Sequence, residues 1–215
     1  MKDLHFLTLT ETAELIRTGK ISPVAVTEAC LGRVERLNSR LNAFIIVLAN
    51  EARAAALDAE QEIKSGNYRG PLHGIPVAFK DMYDTAGVKT TAAFEYFKDR
   101  TPQKDAIAVQ KLKAAGAILI GKTNMHELAM GTTSAVSFFG AVKEAQALSP
   151  QNTFLANYFG LPAISVPCGF TSNGLPTGLQ LMGKPGEDAT LLRVAKSFED
   201  ATEWTKKHPP CHIEP

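Results

Sequence analysis

Gly70-Pro71-Leu72-His73-Gly74-Ile75-Pro76-Val77-Ala78-Phe79-Lys80-Asp81 is the stretch on which the reading of this chain turns. Ile75 to Phe79 is a short apolar run held between Gly74 and a charged pair, the pattern of a buried strand. The run delivers Lys80 at its end. A lysine in that place is expected to lose much of its water, which disfavours the ammonium, lowers its pKa and makes it a candidate base. The plainer role for the same residue is a stem laid along apolar surface with its head in solvent.

Downstream, Ala106 to Ala115 reads as a helix with Gly116 behind it, and Ala117 to Ile120 as a second buried-type strand. Strand, helix, strand in that order predicts a parallel pair joined by a crossover. Thr123 and Asn124 read as the N-cap of a short helix over Asn124 to Met130, and Lys122 as a strand-end charge reaching solvent. Upstream, Thr10 to Arg17 predicts a helix capped by Thr10 and closed at Gly19. Ser22-Pro23 opens a second helix carrying Val26, Ala29, Cys30, Val34 and Leu37 at helical spacing. Leu41 to Leu48 reads as a strand, and Ala49 to Lys64 as an alanine-rich helix stopped by Ser65-Gly66-Asn67.

Beyond a weakly patterned seam at 132–153, Ala163 to Val166 and Gly178 to Met182 predict two strands. Asp188 to Asp200 predicts an amphipathic helix with Leu191, Leu192, Ala195 and Phe198 on one face, and the tail from Lys206 to Pro215 reads as frayed. The expected fold is α/β, a mixed sheet with flanking helices. The expected organisation is one domain over 1–215: a helical part to 66, a lysine-bearing α/β part over 70–131, the seam, and a C-terminal α/β part over 154–205.

With 215 residues, 45% of them hydrophobic, the chain can bury one sizeable core. Lys plus Arg number 23 against 22 Asp plus Glu, so a net charge of +1 offers no electrostatic footprint for nucleic acid or an anionic membrane. Small neutral substrates or protein partners fit better. Cys30, Cys168 and Cys211 are scattered and odd in number, which indicates neither a disulfide framework nor a zinc site and makes a reducing cytoplasm the expectation. No apolar run approaches the ~20 residues of a membrane span, and no cofactor motif is present.

Four blocks carry a resemblance. They are Gly70 to Asp81 with Asp84-Thr85-Ala86-Gly87-Val88, and the run from Ala114 to Glu127 through Gly121-Lys122-Thr123-Asn124. The others are Leu161-Pro162-Ala163-Ile164-Ser165-Val166-Pro167 and Gly174-Leu175-Pro176-Thr177-Gly178-Leu179-Gln180-Leu181. In that order and spacing they resemble the amidase signature family. The resemblance implies hydrolysis of a small carboxamide by a serine nucleophile, a bridging serine and a lysine, with backbone N–H groups of a glycine-rich turn stabilising the oxyanion. Lys80 matches the family's lysine. The family's serines come from motifs of the kind Gly-Gly-Ser-Ser-Gly-Gly, and no such motif stands between Lys122-Thr123-Asn124 and the C-terminal blocks. The resemblance therefore implies a shortened amidase-signature-like domain that lacks the nucleophile segment, impaired as a hydrolase or serving as a non-catalytic binding or assembly module. Loss of that segment should uncover apolar surface and favour self-association.

Other residues invite plainer roles. Asp81 and Asp84 are expected to cap the turn after the strand. His73 and His126 lack partners at metal-ligand spacing and read as core or supporting histidines. Cys168 is either a nucleophile or, more in keeping with the absence of a nearby histidine, a structural thiol.

Overall fold

The computed structural model describes residues 4, 7–131, 134–143, 156, 160–172, 174 and 176–207. These fall into two compact units divided between Ala147 and Leu148.

In the first unit, helix α1 (Leu9–Arg17) is opened by Thr8, not Thr10: the Thr8 hydroxyl accepts from the Glu11 N–H and the Glu11 carboxylate accepts from the Thr8 N–H. Two orphan donors are satisfied by that reciprocal box, which a threonine inside the helix cannot provide. Helix α2 (Pro23–Leu41) starts as expected, with Ser22 Oγ accepting from Ala25 N at 3.0 Å, and ends on Asn42 in the left-handed region. Strand β1 (Phe44–Val47) and helix α3 (Ala49–Lys64) follow. Strands β2 (Pro76–Lys80) and β3 (Ile118–Thr123) flank helix α4 (Ile107–Ala114).

The sheet order is β1-β3-β2, with β3 central, antiparallel to β1 and parallel to β2. The expected parallel pair and mixed sheet are therefore present. Ala52, Ala56 and Ala59 occupy one face of α3 and pack with Leu31, Ile118 and Ile120 into a core. Small side chains at those turns let the helix backbone approach the sheet closely. A second cluster of Ala13, Ile16, Val26 and Ile75 fastens α1 and α2 to the start of the β2 strand.

The second unit is a hairpin of β4 (Ala163–Phe170) and β5 (Pro176–Met182), antiparallel from Ala163↔Met182 to Phe170↔Pro176. Helix α5 (Asp188–Thr202) buries Leu191 and Ala195, and Phe170 meets Trp204 edge to face at 5.9 Å. The tail beyond 207 and most of the expected seam lie outside the described residues.

Candidate active site at the carboxyl ends of the parallel strands

Parallel strands of α/β sheets present ligands at their carboxyl ends. Here that end is formed by Lys80 and Thr123, paired in register, with Asp81 N donating to Thr123 O at 3.1 Å. Two stretches rise from it, one over 81–97 and a second described at 124–131 and 134–140.

Lys80 is exposed. The loss of water expected from its place after an apolar run does not occur. Along the strand, Phe79 takes the buried side and Lys80 the open one, and β2 is an edge of the sheet. Among the described residues its ammonium has no hydrogen-bond or ion-pair partner.

Lys122 has the opposite fate, correcting its expected place in solvent. Its side chain is wholly buried, and Nζ donates to Tyr83 O at 2.6 Å, Thr90 Oγ1 at 2.9 Å and Thr85 Oγ1 at 3.3 Å. Asp81 Oδ1 stands 3.9 Å away, likewise buried. Burial pushes the Lys122 pKa below its ordinary value, against the pull of Asp81 and Asp84. The cause is position: β3 is central, and loop 81–93 closes over its end.

Asp81 does cap the turn after β2. Its Oδ2 accepts from Thr91 N at 3.0 Å and from the Thr91 hydroxyl, and its carbonyl accepts from Ala92 N at 2.8 Å. Its partner Thr91 carries no motif of its own, and the neighbouring Thr90 hydroxyl accepts from Lys122 instead. Asp84 pairs with Arg100 through two bonds of 2.6 and 2.7 Å, which holds its carboxyl below the usual range.

The helix expected over Asn124 to Met130 is a single tight turn, Glu127–Ala129, in which Leu128 and Ala129 have φ of 52° and 59°. Asn124 caps no helix. Its Nδ2 donates to Asn42 O and Gly140 O, both at 3.0 Å, and its Oδ1 accepts from Met125 N and Ser137 Oγ, both at 2.8 Å. The Ser137 hydroxyl, the described serine nearest to this framework in sequence after Ser134, is thus already engaged. Gly131 lies against His126, where an added Cβ would fall 2.3 Å from the imidazole.

His73 is a core histidine. Its Nδ1 accepts from Arg69 N at 3.1 Å, so Nε2 carries the proton towards Glu62 Oε2 at 3.1 Å. Burial, with the Arg69 charge, keeps its pKa below the ordinary 6.5. Cys168 lies on β4, half-buried, with its thiol 3.6 Å from Thr177 Oγ1. Among the described residues no group of three acidic, histidine or cysteine side chains is placed to hold a metal.

The Amidase family model matches residues 25–150 and 145–192. An amidase of Pseudomonas putida is 42% identical over 131 residues, 61% of this chain and 28% of its own length. A glutamyl-tRNA(Gln) amidotransferase component of Salinispora tropica is 41% identical over 140 residues, 65% of this chain and 28% of its own. The chain spans less than a third of the length of these curated relatives. Native peptide amidase from Stenotrophomonas maltophilia shares the fold with a TM-score of 0.61 at 22% identity, over 97% of this chain and 51% of that one. Matched by the family model along most of its length, the chain belongs to the amidase signature family.

Proposed function

We propose that this chain is an amide-hydrolase scaffold that keeps the family's proton-accepting lysine, Lys80, but lacks the segment bearing the nucleophile, and that alone it hydrolyses amides at background level only. The observation that carries the reading is the state of Lys80: it stands at the carboxyl end of the parallel pair with no hydroxyl or other polar partner among the described residues. A base with nothing to deprotonate has no step to assist, and nucleophile, relay and oxyanion donors act as a unit. The parent activity is hydrolysis of a small carboxamide. Both units belong to one shortened domain on this reading, since the family model matches parts of each.

The alternative is a non-catalytic binding or assembly module, and the amidotransferase relative, itself one component of a larger enzyme by its name, gives it support. Apolar surface left uncovered favours self-association in either case. No helix among the described residues is long and apolar enough to cross a membrane, and Cys30 and Cys168 are free thiols, which suits the reducing cytoplasm.

The test is the purified 215-residue chain with a simple aryl amide. The expected result is no turnover above that of Lys80→Ala. Turnover that is lost in Lys80→Ala and blocked by a serine-directed fluorophosphonate would overturn the proposal.

A further inference from the structure

The turn that leads into β2 is closed over a histidine. His73 is 1% exposed; its Nδ1 accepts from Arg69 N at 3.1 Å, and its backbone N–H donates to Gly70 O at 2.9 Å. From α3, Glu62 holds both ends of this turn. One of its carboxylate oxygens accepts from the Arg69 guanidinium, and the other lies 3.1 Å from His73 Nε2. The Tyr68 ring stacks on the imidazole with centroids 6.0 Å apart. Gly116 packs against the ring so closely that an added Cβ would fall 2.5 Å from His73 Cδ2.

Charge surrounds the imidazole. Asp58 and Glu62 of α3, Arg69 of the turn and Lys113 of α4 line a cleft of about 200 Å³ beside it, to which Ala117 and Ile118, where β3 starts, add no charge. Lys113 is engaged by Asp105 through two bonds of 2.8 and 2.9 Å. Arg69 is therefore the like charge that a protonated His73 meets, and Glu62 the opposite one. Only a neutral ring with its proton on Nε2 fits these contacts. The Arg69 N–H needs a lone pair at Nδ1, and an imidazolium has none. Protonation sets two donors against each other across 3.1 Å, which leaves both unsatisfied at a buried ring. It also strengthens the bond from Nε2–H to Glu62, so imidazolium and guanidinium compete for one carboxylate.

We propose that His73, Glu62 and Arg69 form an acid-released latch: on protonation His73 stays with Glu62, while Tyr68 to Leu72 let go of the imidazole and swing out, opening the cleft beside it. The segment has anchors that do not titrate. Asn67 N donates to Glu62 O and Gly74 N to Gly116 O, both at 2.9 Å. Between them Gly70 takes a φ of +130° with no atom near the place of a Cβ, which gives the backbone freedom to rearrange there. Burial first, and the Arg69 charge second, hold the pKa of the closed ring below 6.5, and a released ring returns towards that value. Between the two values the released state binds more protons, so opening grows as pH falls through that window and gains nothing from pH above it. The latch works whether or not the chain hydrolyses amides.

The test is amide hydrogen exchange by NMR on the full chain, stepped in pH from above 6.5 to the end of the His73 titration and corrected for the intrinsic pH dependence of exchange. Imidazole nitrogen shifts should show Nδ1 without a proton at the upper end. The Arg69 and His73 amides should lose protection by at least about tenfold with the midpoint of the His73 titration, while the central amides of α3 and β3 keep theirs. Glu62→Gln removes the charge that favours the imidazolium and should move the midpoint down. Arg69→Ala, at an exposed position, removes the charge that opposes it and should move the midpoint up. The proposal is overturned if the ring carries its proton on Nδ1, or if His73 titrates while Arg69 stays protected. It is equally overturned if α3 and β3 lose protection in step, which is plain unfolding, or if the two variants fail to move the midpoint in opposite directions.

Discussion

Replacing Lys122 by methionine keeps an unbranched chain of similar length and removes the charge. Three acceptors, Tyr83 O, Thr90 Oγ1 and Thr85 Oγ1, then lose their donor in a place water does not reach, and Asp81 Oδ1 loses the cation 3.9 Å away. Removing one partner of a buried pair costs about 3–5 kcal/mol, because the other charge stays behind uncompensated. The 3.9 Å separation and the N–H and O–H groups already bonded to Asp81 Oδ2 argue for the lower end, about 3 kcal/mol. Native-state hydrogen exchange at β2 and β3 amides in the full chain measures the loss where it occurs. Asp81→Asn in the Lys122→Met background should recover part of it, with a coupling of about 1–3 kcal/mol in the double-mutant cycle. A pH series adds a signed check. Burial places the folded pKa of Lys122 below 10.5, so between the folded value and 10.5 the unfolded chain binds more protons and stability rises with pH. Below the folded value the slope from this group is zero. Wild type should therefore gain on Lys122→Met as pH climbs towards 10.5. A single variant within about 0.5 kcal/mol of wild type, an additive cycle, or the opposite pH trend would each refute the account of this site.

His73 gives an acid-side counterpart: its folded pKa lies below 6.5, so stability is lost as pH falls from 6.5 towards the folded value, and His73→Gln should flatten that limb in urea titrations at stepped pH. Gly116→Ala should cost about 2 kcal/mol or more by thermal melting, combining a positive φ with a Cβ placed against the His73 ring. Ala56→Leu should overpack the α3–sheet contact and cost about 1–3 kcal/mol, seen as a lowered urea midpoint with an unchanged slope. Arg100→Ala breaks only a partly exposed pair with Asp84 and should change stability by less than about 1 kcal/mol, with the small effect vanishing in high salt.

Local signals identified most of the framework. Helix α3 coincides with its expected span because Ser65-Gly66-Asn67 ends it and alanines repeat on one face. The parallel β2–β3 pair follows from element order alone. What escaped depends on non-local contacts. Asn124 looks like a cap in isolation, but acceptors at Asn42 and Gly140, far apart in sequence, claim its amide. The turn at Glu127–Ala129 takes positive φ at Leu128 and Ala129 because Leu128 N and Glu127 N bond to Ala92 O and Val136 O. No propensity of leucine or alanine announces that.

The two lysines show how far a strand-end charge can be read from its neighbours. Lys80 and Lys122 each follow an apolar run, so hydropathy gives them the same environment. Their environments differ because β2 is an edge of the described sheet and β3 lies between two strands. Around Lys122, the chain that returns over the central strand brings one carbonyl and two threonine hydroxyls to the ammonium, enough acceptors to keep a charge in place without water. The Lys80 side chain, on the edge strand, is left exposed. In a hydrolase the base needs a proton source within bonding reach, and an edge position leaves room for one to be delivered by another segment. On the proposed reading Lys80, which matches the family's lysine, is the residue left for chemistry, while Lys122 holds the loop beside it.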